Sequence, residues 1–197
     1  MSDPGTPRGT AASPAGPVVR PARHDDTDAV AAIYDHWVRT STATFELEPP
    51  GVGHWHDRLD ALGAAGWPFL VVEADGAVAG FAYVGPWRTR PAYAATVEDT
   101  LYLHPDATGR GLGTLLLTAL LDRAAAAGAR EVVAVVADAE TPASLALHRR
   151  AGFVEAGRLE RVGRKFDRWL GTTLLQRSLV AGTPGPRPGQ RSEPPVS

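Results

Sequence analysis

The chain has no cysteine among its 197 residues. This absence excludes disulfide bonds, cysteine-ligated metal sites and a thiol nucleophile. The chain also lacks an excess of charge of one sign, since it has 20 Lys and Arg residues and 22 Asp and Glu residues. The strongly basic field that attracts nucleic acid or an anionic membrane is therefore missing. No apolar run is long enough to span a bilayer, and the N-terminus lacks the apolar core of a signal peptide. These absences predict a cytoplasmic protein that binds neither nucleic acid nor membranes.

Composition divides the chain into a middle and two ends. Residues 1–17 and 181–197 are rich in Pro, Gly, Ser, Thr and Ala and have almost nothing to bury. We therefore predict disordered tails over both stretches. Residues 18–180 carry most of the apolar side chains of a sequence that is 44% hydrophobic. This is enough for the core of one domain.

Hydrophobic periodicity predicts strands that alternate with helices. Asp25 or Asp26 can cap a helix over residues 29–38, and Asp75-Gly76 is a strong hairpin turn. Residues 40–50 (TSTATFELEPP) are predicted to be a loop or an extended segment, because they are polar and end in two prolines. The apolar face of the first helix comprises Ala29, Ala32, Ile33 and Trp37.

The order of the predicted elements is β-α-α-β-β-β-α-β-α-β-β, which is typical of an α/β or α+β fold with a central mixed sheet. The run EVVAVVA is continuous, as expected of a strand buried on both faces. The predicted strands cover residues 18–20, 69–73, 77–83, 95–104, 131–137, 154–162 and 165–179, and the predicted helices cover residues 29–38, 54–64, 112–127 and 142–151.

The segment TGRGLG, from Thr108 to Gly113, lies between an alternating strand pattern and a Leu/Ala-rich helix pattern. Glycine adopts positive φ at no steric cost and lets the backbone pass close to a ligand. The N-terminus of the following helix offers unpaired N–H groups and the positive end of the helix dipole. The segment therefore predicts a phosphate or pyrophosphate site, with a tight turn before a helix as the alternative. It lacks the Lys-Ser/Thr pair of a P-loop nucleotide binder.

These patterns resemble the GCN5-related N-acetyltransferases, the GNAT superfamily. The resemblance covers residues 18–180 and rests on three features. These are the order of elements, TGRGLG at the start of one helix and SLALHRRAGF at the end of the next. The segments STATFELEP, GPWRTRPAYAATVEDTLYLHP and VGRKFDRWLGTTLLQRSL are similar to those of phosphinothricin and methionine-sulfoximine N-acetyltransferases. The resemblance implies the GNAT fold, with a twisted sheet of seven strands and four helices. It also implies acetyl-CoA as cosubstrate, no metal, a homodimer, and acetylation of the α-amino group of a small amino-acid-like substrate.

The resemblance also implies the residues that bind acetyl-CoA. The glycine segment would bind the pyrophosphate through backbone N–H groups, and Arg110 would add charge at a phosphate, with a solvated loop arginine as the alternative. Thr108 and Thr141 replace the Gln or Arg and the Asn that many members of the superfamily carry, so side-chain contacts to CoA are weakened. The implied cofactor-binding residues are Leu101, Tyr102, Leu103, Gly109, Arg110, Gly111, Leu112, Gly113, Thr114, Thr141 and Ser144.

Two catalytic residues follow from the resemblance. Glu98 is the implied base that removes a proton from the acceptor amine, with an exposed strand carboxylate as the alternative. Period-2 alternation puts Glu98 on one face of its strand and Asp99 on the other. His148 lies where most GNAT enzymes carry the tyrosine that protonates the departing thiolate, with a packed helix histidine as the alternative. The backbone N–H of Leu101 is the implied oxyanion donor.

The acceptor site is implied to contain Arg88, Arg90, Tyr93 and Phe45. Arginine donates in a fork that suits planar oxyanions, while Phe45 would form a wall of the pocket or would anchor the core. Since no cysteine can form an acyl-enzyme, both substrates should bind together and react directly. Two other functions stay open: acetylation of another small amine or a peptide N-terminus, and a non-catalytic acyl-CoA sensor. His54-Trp55-His56 resembles a metal pair, but residues two apart do not share a helical face.

Overall fold

We analysed a computed structural model, which describes residues 16–137 and 142–180. Thr141 and all of the predicted tails except Gly16 and Pro17 lie outside the described residues. A single mixed sheet of seven strands, in the order β1-β2-β3-β4-β5-β7-β6, forms the centre of the fold. The predicted fold class and element order are confirmed. The elements are β1 Val18–Pro21, α1 Thr27–Thr40, α2 Val52–Ala64, β2 Phe69–Ala74, β3 Ala77–Pro86, β4 Thr96–Leu103, α3 Leu112–Ala126, β5 Glu131–Ala137, α4 Ala143–Arg150, β6 Val154–Lys165 and β7 Arg168–Ser178.

The sheet separates two hydrophobic cores, because alternate strand residues point to opposite faces. On one face, Leu116 and Leu120 of α3 are fully buried against strand residues that include Val72. On the other face, Trp55 of α2 packs with α1 and with Val71. Complete burial of such a side chain stabilises the fold by about 1.5–3 kcal/mol. The two layers of helices therefore hold the middle of the sheet from both sides.

The buried face of α1 differs in part from the prediction. Ile33 is buried and Trp37 is half-buried, but Ala32 is exposed. Val30 and Val38 are almost completely buried instead. Alanine has little apolar surface to bury, so the larger side chains decide which face of the helix packs against the core.

Asp26 occupies the N-cap position of α1, but its side chain makes no capping hydrogen bond. Its carboxylate instead accepts from Nη1 and Nη2 of Arg20, each at 2.7 Å, and from the backbone N–H of Arg23 at 2.7 Å. The guanidinium holds the pKa of Asp26 below its usual value through these hydrogen bonds. Asp26 therefore does not cap α1 but connects the start of this helix to β1 through Arg20.

The hairpin between β6 and β7 turns later than predicted. The break was expected at residues 163–164, but β6 continues to Lys165 and the turn falls at Phe166 and Asp167, with φ of 49° and 58°. Two successive positive φ values are usually marked by glycine or asparagine, which this turn lacks. Gly163 lies within the strand and not in the turn, and a Cβ there would clash with the ring of Phe45.

Candidate active site

A cleft opens where β4 and β5 separate. The two strands pair in parallel only from Thr96–Glu131 to Glu98–Val133, although β4 continues to Leu103 and β5 to Ala137. A cavity of about 860 Å³ occupies the gap. Val135 is 37% exposed and lines this cavity, as do its two successors in β5. The prediction that this strand is buried on both faces is therefore wrong, because part of its apolar surface faces a ligand cavity.

The edge of β4 in the cleft carries free backbone groups. The N–H of His104 donates to the carbonyl of Ala79 on β3, so Leu101 and Leu103, which alternate with it, point their N–H and C=O groups away from β3 towards the cleft. The indole N–H of Trp37 donates to the carbonyl of Leu103 at 2.7 Å. The backbone of Tyr102 faces β3, and its hydroxyl donates to the carbonyl of Ala43 at 3.2 Å. Both groups of Leu101 and the N–H of Leu103 thus suit an extended ligand.

The glycine segment forms one end of the cavity. Thr108, Gly109, Gly111, Gly113 and Thr114 line it. Gly109 and Gly111 have φ of 74° and 79°, which other residues adopt only at a cost. Gly111 is the N-cap of α3, and no side chain caps that helix. The first N–H groups of α3 are therefore available for an anion such as a pyrophosphate.

Two predicted cofactor residues do not line the cavity. Leu112 is 3% exposed and packs in the core beneath the loop. The guanidinium of Arg110 donates to Oδ2 of Asp75 at 2.7 Å, with both side chains largely exposed. Such a surface pair contributes about 0–1 kcal/mol, so a phosphate can compete for this arginine. Ser144 lines the cavity from the start of α4.

Glu98 lines the cavity on the face of the sheet that carries α1 and α2. Leu101 and Leu103 pack against the α3 core, whereas Tyr102 packs against the other core, so alternation places Glu98 on the Tyr102 side. Burial and the neighbouring Asp99 charge raise the pKa of the Glu98 carboxyl, and Arg88 partly offsets them. A carboxylate with a raised pKa is a better base for an ammonium group.

His148 is buried and forms a pair with Asp99. Its Nε2 lies 2.9 Å from Oδ2 of Asp99, and the two side chains are 6% and 1% exposed. Nδ1 lies 2.8 Å from the carbonyl oxygen of Ser144. Because a carbonyl can only accept, Nδ1 carries a proton. Burial alone would lower the pKa of His148, but the hydrogen bond and charge of Asp99 outweigh it and raise that pKa.

Asp99 is a residue of the site that sequence reasoning missed. Its Oδ1 is buried with no hydrogen-bond partner among the described residues, and Asp99 lines the cavity. The pattern showed only that it lies on the face opposite Glu98. Its pairing with His148 joins positions 49 residues apart, which no local signal reports.

The predicted acceptor residues are only partly brought together. Phe45 lines the cavity, with Tyr34, Thr44 and Tyr83 beside it, three residues that sequence reasoning missed. The stretch with Arg88, Arg90 and Tyr93 is exposed and does not line the cavity. The guanidinium of Arg88 lies 4.6 Å from the centre of the Trp87 ring.

The described residues contain neither a cluster suited to a metal ion nor a helix suited to a membrane. Within residues 16–137 and 142–180, no three His, Asp or Glu side chains are grouped to hold a metal ion. Across the same residues, no helix is both long and apolar enough to cross a membrane.

Comparisons with known proteins agree with this geometry. The model of the acetyltransferase (GNAT) family matches residues 30–153. A phosphinothricin N-acetyltransferase from Alcaligenes faecalis is 47% identical over 164 residues, which cover 83% of this chain and 83% of that protein. An L-methionine sulfoximine/L-methionine sulfone acetyltransferase from Pseudomonas aeruginosa is 38% identical over 162 residues, which cover 82% of this chain and 94% of that protein.

A solved structure shows the same fold. It is a GNAT superfamily phosphinothricin acetyltransferase from Sinorhizobium meliloti in complex with acetyl-CoA, with a TM-score of 0.81 and 37% identity over 89% of this chain and 95% of that chain. The glycine segment, the uncapped start of α3 and the free edge of β4 fit acetyl-CoA in the present chain. The chain therefore belongs to the GNAT family and is an acetyltransferase with acetyl-CoA as its cosubstrate.

Proposed function

We propose that this enzyme acetylates the α-amino group of a small amino-acid analogue of the phosphinothricin, methionine sulfoximine or methionine sulfone type. The observation that carries the proposal is the position of Glu98, a partly buried carboxylate beside the free edge of β4. Relatives named for these acceptors support the substrate class. A base next to an acyl-donor cleft is what direct amine acylation needs.

In this mechanism Glu98 accepts a proton from the acceptor ammonium and leaves a nucleophilic amine. The amine attacks the thioester carbon of acetyl-CoA, so that a C–N bond forms, the C–S bond breaks and the CoA thiolate leaves. The nitrogen releases its second proton to water as the amide forms. The backbone N–H of Leu101 points into the cleft and donates to the developing oxyanion. Glu98 and Leu101 both belong to β4, so the geometry of one strand sets the distance between the proposed base and the proposed oxyanion donor.

His148 and Asp99 are the proposed source of the proton for the departing thiolate. Ser144 holds the Nδ1 proton of His148, so the transferable proton lies between Nε2 and Oδ2 of Asp99. Burial disfavours the charged imidazolium, and the negative charge of Asp99 stabilises it, so His148 can hold this proton. The pair carries no net charge before transfer, so it does not repel the thiolate.

Arg88, Arg90 and Tyr93 are the proposed contacts for the acceptor carboxylate at the rim of the site. The charge of Arg88 acts on the Glu98 carboxyl, whose pKa it lowers against the effect of burial. This charge effect supports a place for Arg88 near the proposed acceptor site. A fork of N–H donors there would orient a carboxylate with its amine near Glu98.

A second copy of this chain is the proposed partner. Leu159, Val162, Phe166 and Trp169 of the β6–β7 hairpin are 47–56% exposed. Charged residues of both signs lie among them, for example the ion pair of Arg164 with Asp167. An apolar patch with mixed charges suits a self-complementary interface.

The first test is thiol release from acetyl-CoA with phosphinothricin, methionine sulfoximine, methionine sulfone, glutamate and unrelated amines. We expect turnover with the analogues, intersecting initial-velocity lines because both substrates bind together, and a 10²–10⁴-fold lower kcat in Glu98→Gln. Turnover should also fall as pH drops through the raised pKa of Glu98, because the protonated carboxyl cannot act as a base.

Three outcomes would contradict parts of this proposal. Turnover that survives Glu98→Gln removes Glu98 as the base. Turnover confined to other amines or peptide N-termini replaces the substrate class. Binding of acetyl-CoA without turnover of any acceptor favours an acyl-CoA sensor.

A further inference from the structure

The wall of the acceptor pocket is a segment without regular structure. Residues 41–50 connect α1 to α2 without forming a helix or strand, yet Ala43, Thr44 and Phe45 line the cavity. A loop of this kind has no hydrogen-bond ladder of its own. Two local hydrogen bonds, from Ala43 N–H to the Ser41 hydroxyl and from Glu46 N–H to the Thr44 hydroxyl, lie within the segment. Its position against the cavity depends on contacts with the rest of the fold.

Three side chains from separate elements hold this segment. The hydroxyls of Tyr34 on α1 and Thr44 are 2.7 Å apart, and the hydroxyl of Tyr102 on β4 donates to the carbonyl of Ala43 at 3.2 Å. The ammonium of Lys165, at the end of β6, donates to the carbonyl of Thr44 at 2.9 Å. All three contacts fall on two adjacent residues of the loop.

The contact from Lys165 is the least expected of the three. Lys165 is the only lysine in the sequence and is 3% exposed, whereas lysine is almost never fully buried without a partner. Burial lowers its pKa, partly offset by the charge of Glu46. Its Nζ also lies 5.1 Å from the centre of the Phe166 ring. The chain thus maintains a costly buried amine at a point where it meets the backbone of the pocket wall.

The same strand makes a second contact with the loop. The ring of Phe45 fills the space beside Gly163, where a Cβ would come within 2.4 Å of Cε2 and 2.5 Å of Cδ2. The absence of a side chain at Gly163 therefore leaves the room that the Phe45 ring occupies. Two residues of β6 thus place two adjacent residues of the pocket wall.

We propose that Lys165 is a positioning residue for acceptor recognition, because its hydrogen bond to Thr44 holds residues 43–45 in the shape that the acceptor meets. Lys165 does not itself line the cavity, so it acts through the loop. The inference rests on the proposed function in that a small acceptor binds against this wall. The groups that suit acetyl-CoA belong to β4, α3 and α4, so the effect should be confined to the acceptor.

Lys165→Met tests this inference, because methionine keeps a similar apolar stem and cannot donate. Arg149→Met is the matched control, since Arg149 is exposed, pairs with Glu155 at 3.0 Å and lies outside both the cavity lining and the β6–β7 hairpin. We expect a roughly tenfold higher acceptor KM in Lys165→Met, in line with the loss of one charge-assisted hydrogen bond, and unchanged affinity for acetyl-CoA. Hydrogen exchange of residues 42–47 should be faster in Lys165→Met, and that of residues 96–103 should not change. The control should match the wild type in all of these measurements.

A second variant covers the case in which Lys165→Met does not fold. Gly163→Ala places a methyl group against the Phe45 ring and should raise the acceptor KM without changing acetyl-CoA affinity. Unchanged acceptor KM and unchanged exchange in the folded variants would overturn the inference. If the wild type acetylates no acceptor, the proposed function fails, while faster exchange of residues 42–47 would still show that Lys165 holds the loop.

Discussion

At the scale of single residues, two adjacent carboxylates of β4 have different surroundings. Glu98 faces the acceptor side of the sheet with a raised pKa, whereas Asp99 is buried on the other face against His148. Alternation along one strand thus separates two acid–base groups that the sequence places side by side. The proposed base and the proposed proton donor can therefore act on opposite sides of the same reacting centre without exchanging protons directly.

Asp99→Asn should lower the pKa of His148 below its ordinary value of about 6.5, because burial would act without the opposing carboxylate. We expect kcat to fall roughly tenfold or more, in line with loss of a positioned proton donor, with acetyl-CoA affinity unchanged. An NMR titration of the histidine rings measures the pKa. If His148 still titrates above its ordinary value in this variant, Asp99 does not set its protonation state.

At the scale of elements, ion pairs and backbone contacts connect segments that propensity treats separately. Arg20 of β1 joins Asp26 at the start of α1 and Glu73 of β2. These contacts fix the angle at which α1 leaves the sheet, and α1 supplies Tyr34 and Trp37 to the cavity. The helix start is thus coupled to the shape of the site.

Asp26→Asn should lower the free energy of unfolding by about 1–3 kcal/mol at pH 7, because a partly buried ion pair with Arg20 and the hydrogen bond from the Arg23 N–H are weakened. Since the folded-state pKa of Asp26 is lowered, this stability is complete above the unfolded value of about 3.9 and is lost as pH falls through the folded value. Urea unfolding at pH 7 and at lower pH measures the change. The neighbouring exposed residue provides the control Asp25→Asn, and an equal loss in both variants would contradict the assignment.

At the scale of the whole molecule, the separation of β4 from β5 decides where chemistry can take place. The sheet stays continuous because β4 and β5 still pair from Thr96–Glu131 to Glu98–Val133, while β7 supports the other edge of β5 along Glu131–Ala137. The gap is therefore open to ligand without breaking the fold. The β6–β7 hairpin contacts the loop of residues 41–50 through Lys165 and exposes the apolar patch that is proposed to bind a second copy.

Trp169→Glu should convert the proposed dimer into a monomer, because a charge would replace an apolar side chain that is 56% exposed in the single chain. Light scattering after size-exclusion chromatography measures the mass. Arg149→Glu, an exposed change on α4, should leave the dimer intact. A wild-type mass equal to one chain would overturn the proposed partner.

Local patterns in the sequence determined much of this protein. The start of α3, both ends of β5 and the Asp75-Gly76 turn lie where they were predicted, because periodicity and turn chemistry act between near neighbours. The glycine segment predicted an anion site from its own residues, and Gly109 and Gly111 have positive φ at one end of the cavity. Family resemblance, carried by short segments, was sufficient for the acetyltransferase family.

Only the tertiary structure decided how distant residues meet. The pairing of His148 with Asp99 and the bond from Lys165 to Thr44 join positions 49 and 121 residues apart, and the turn at Phe166 and Asp167 has no local signal. Val135 looked like a core residue, yet it lines the cavity. A hydrophobic side chain avoids water, and it can do so against the core or against a ligand. Which of the two it contacts depends on where the strands separate, and packing across the whole sheet decides that.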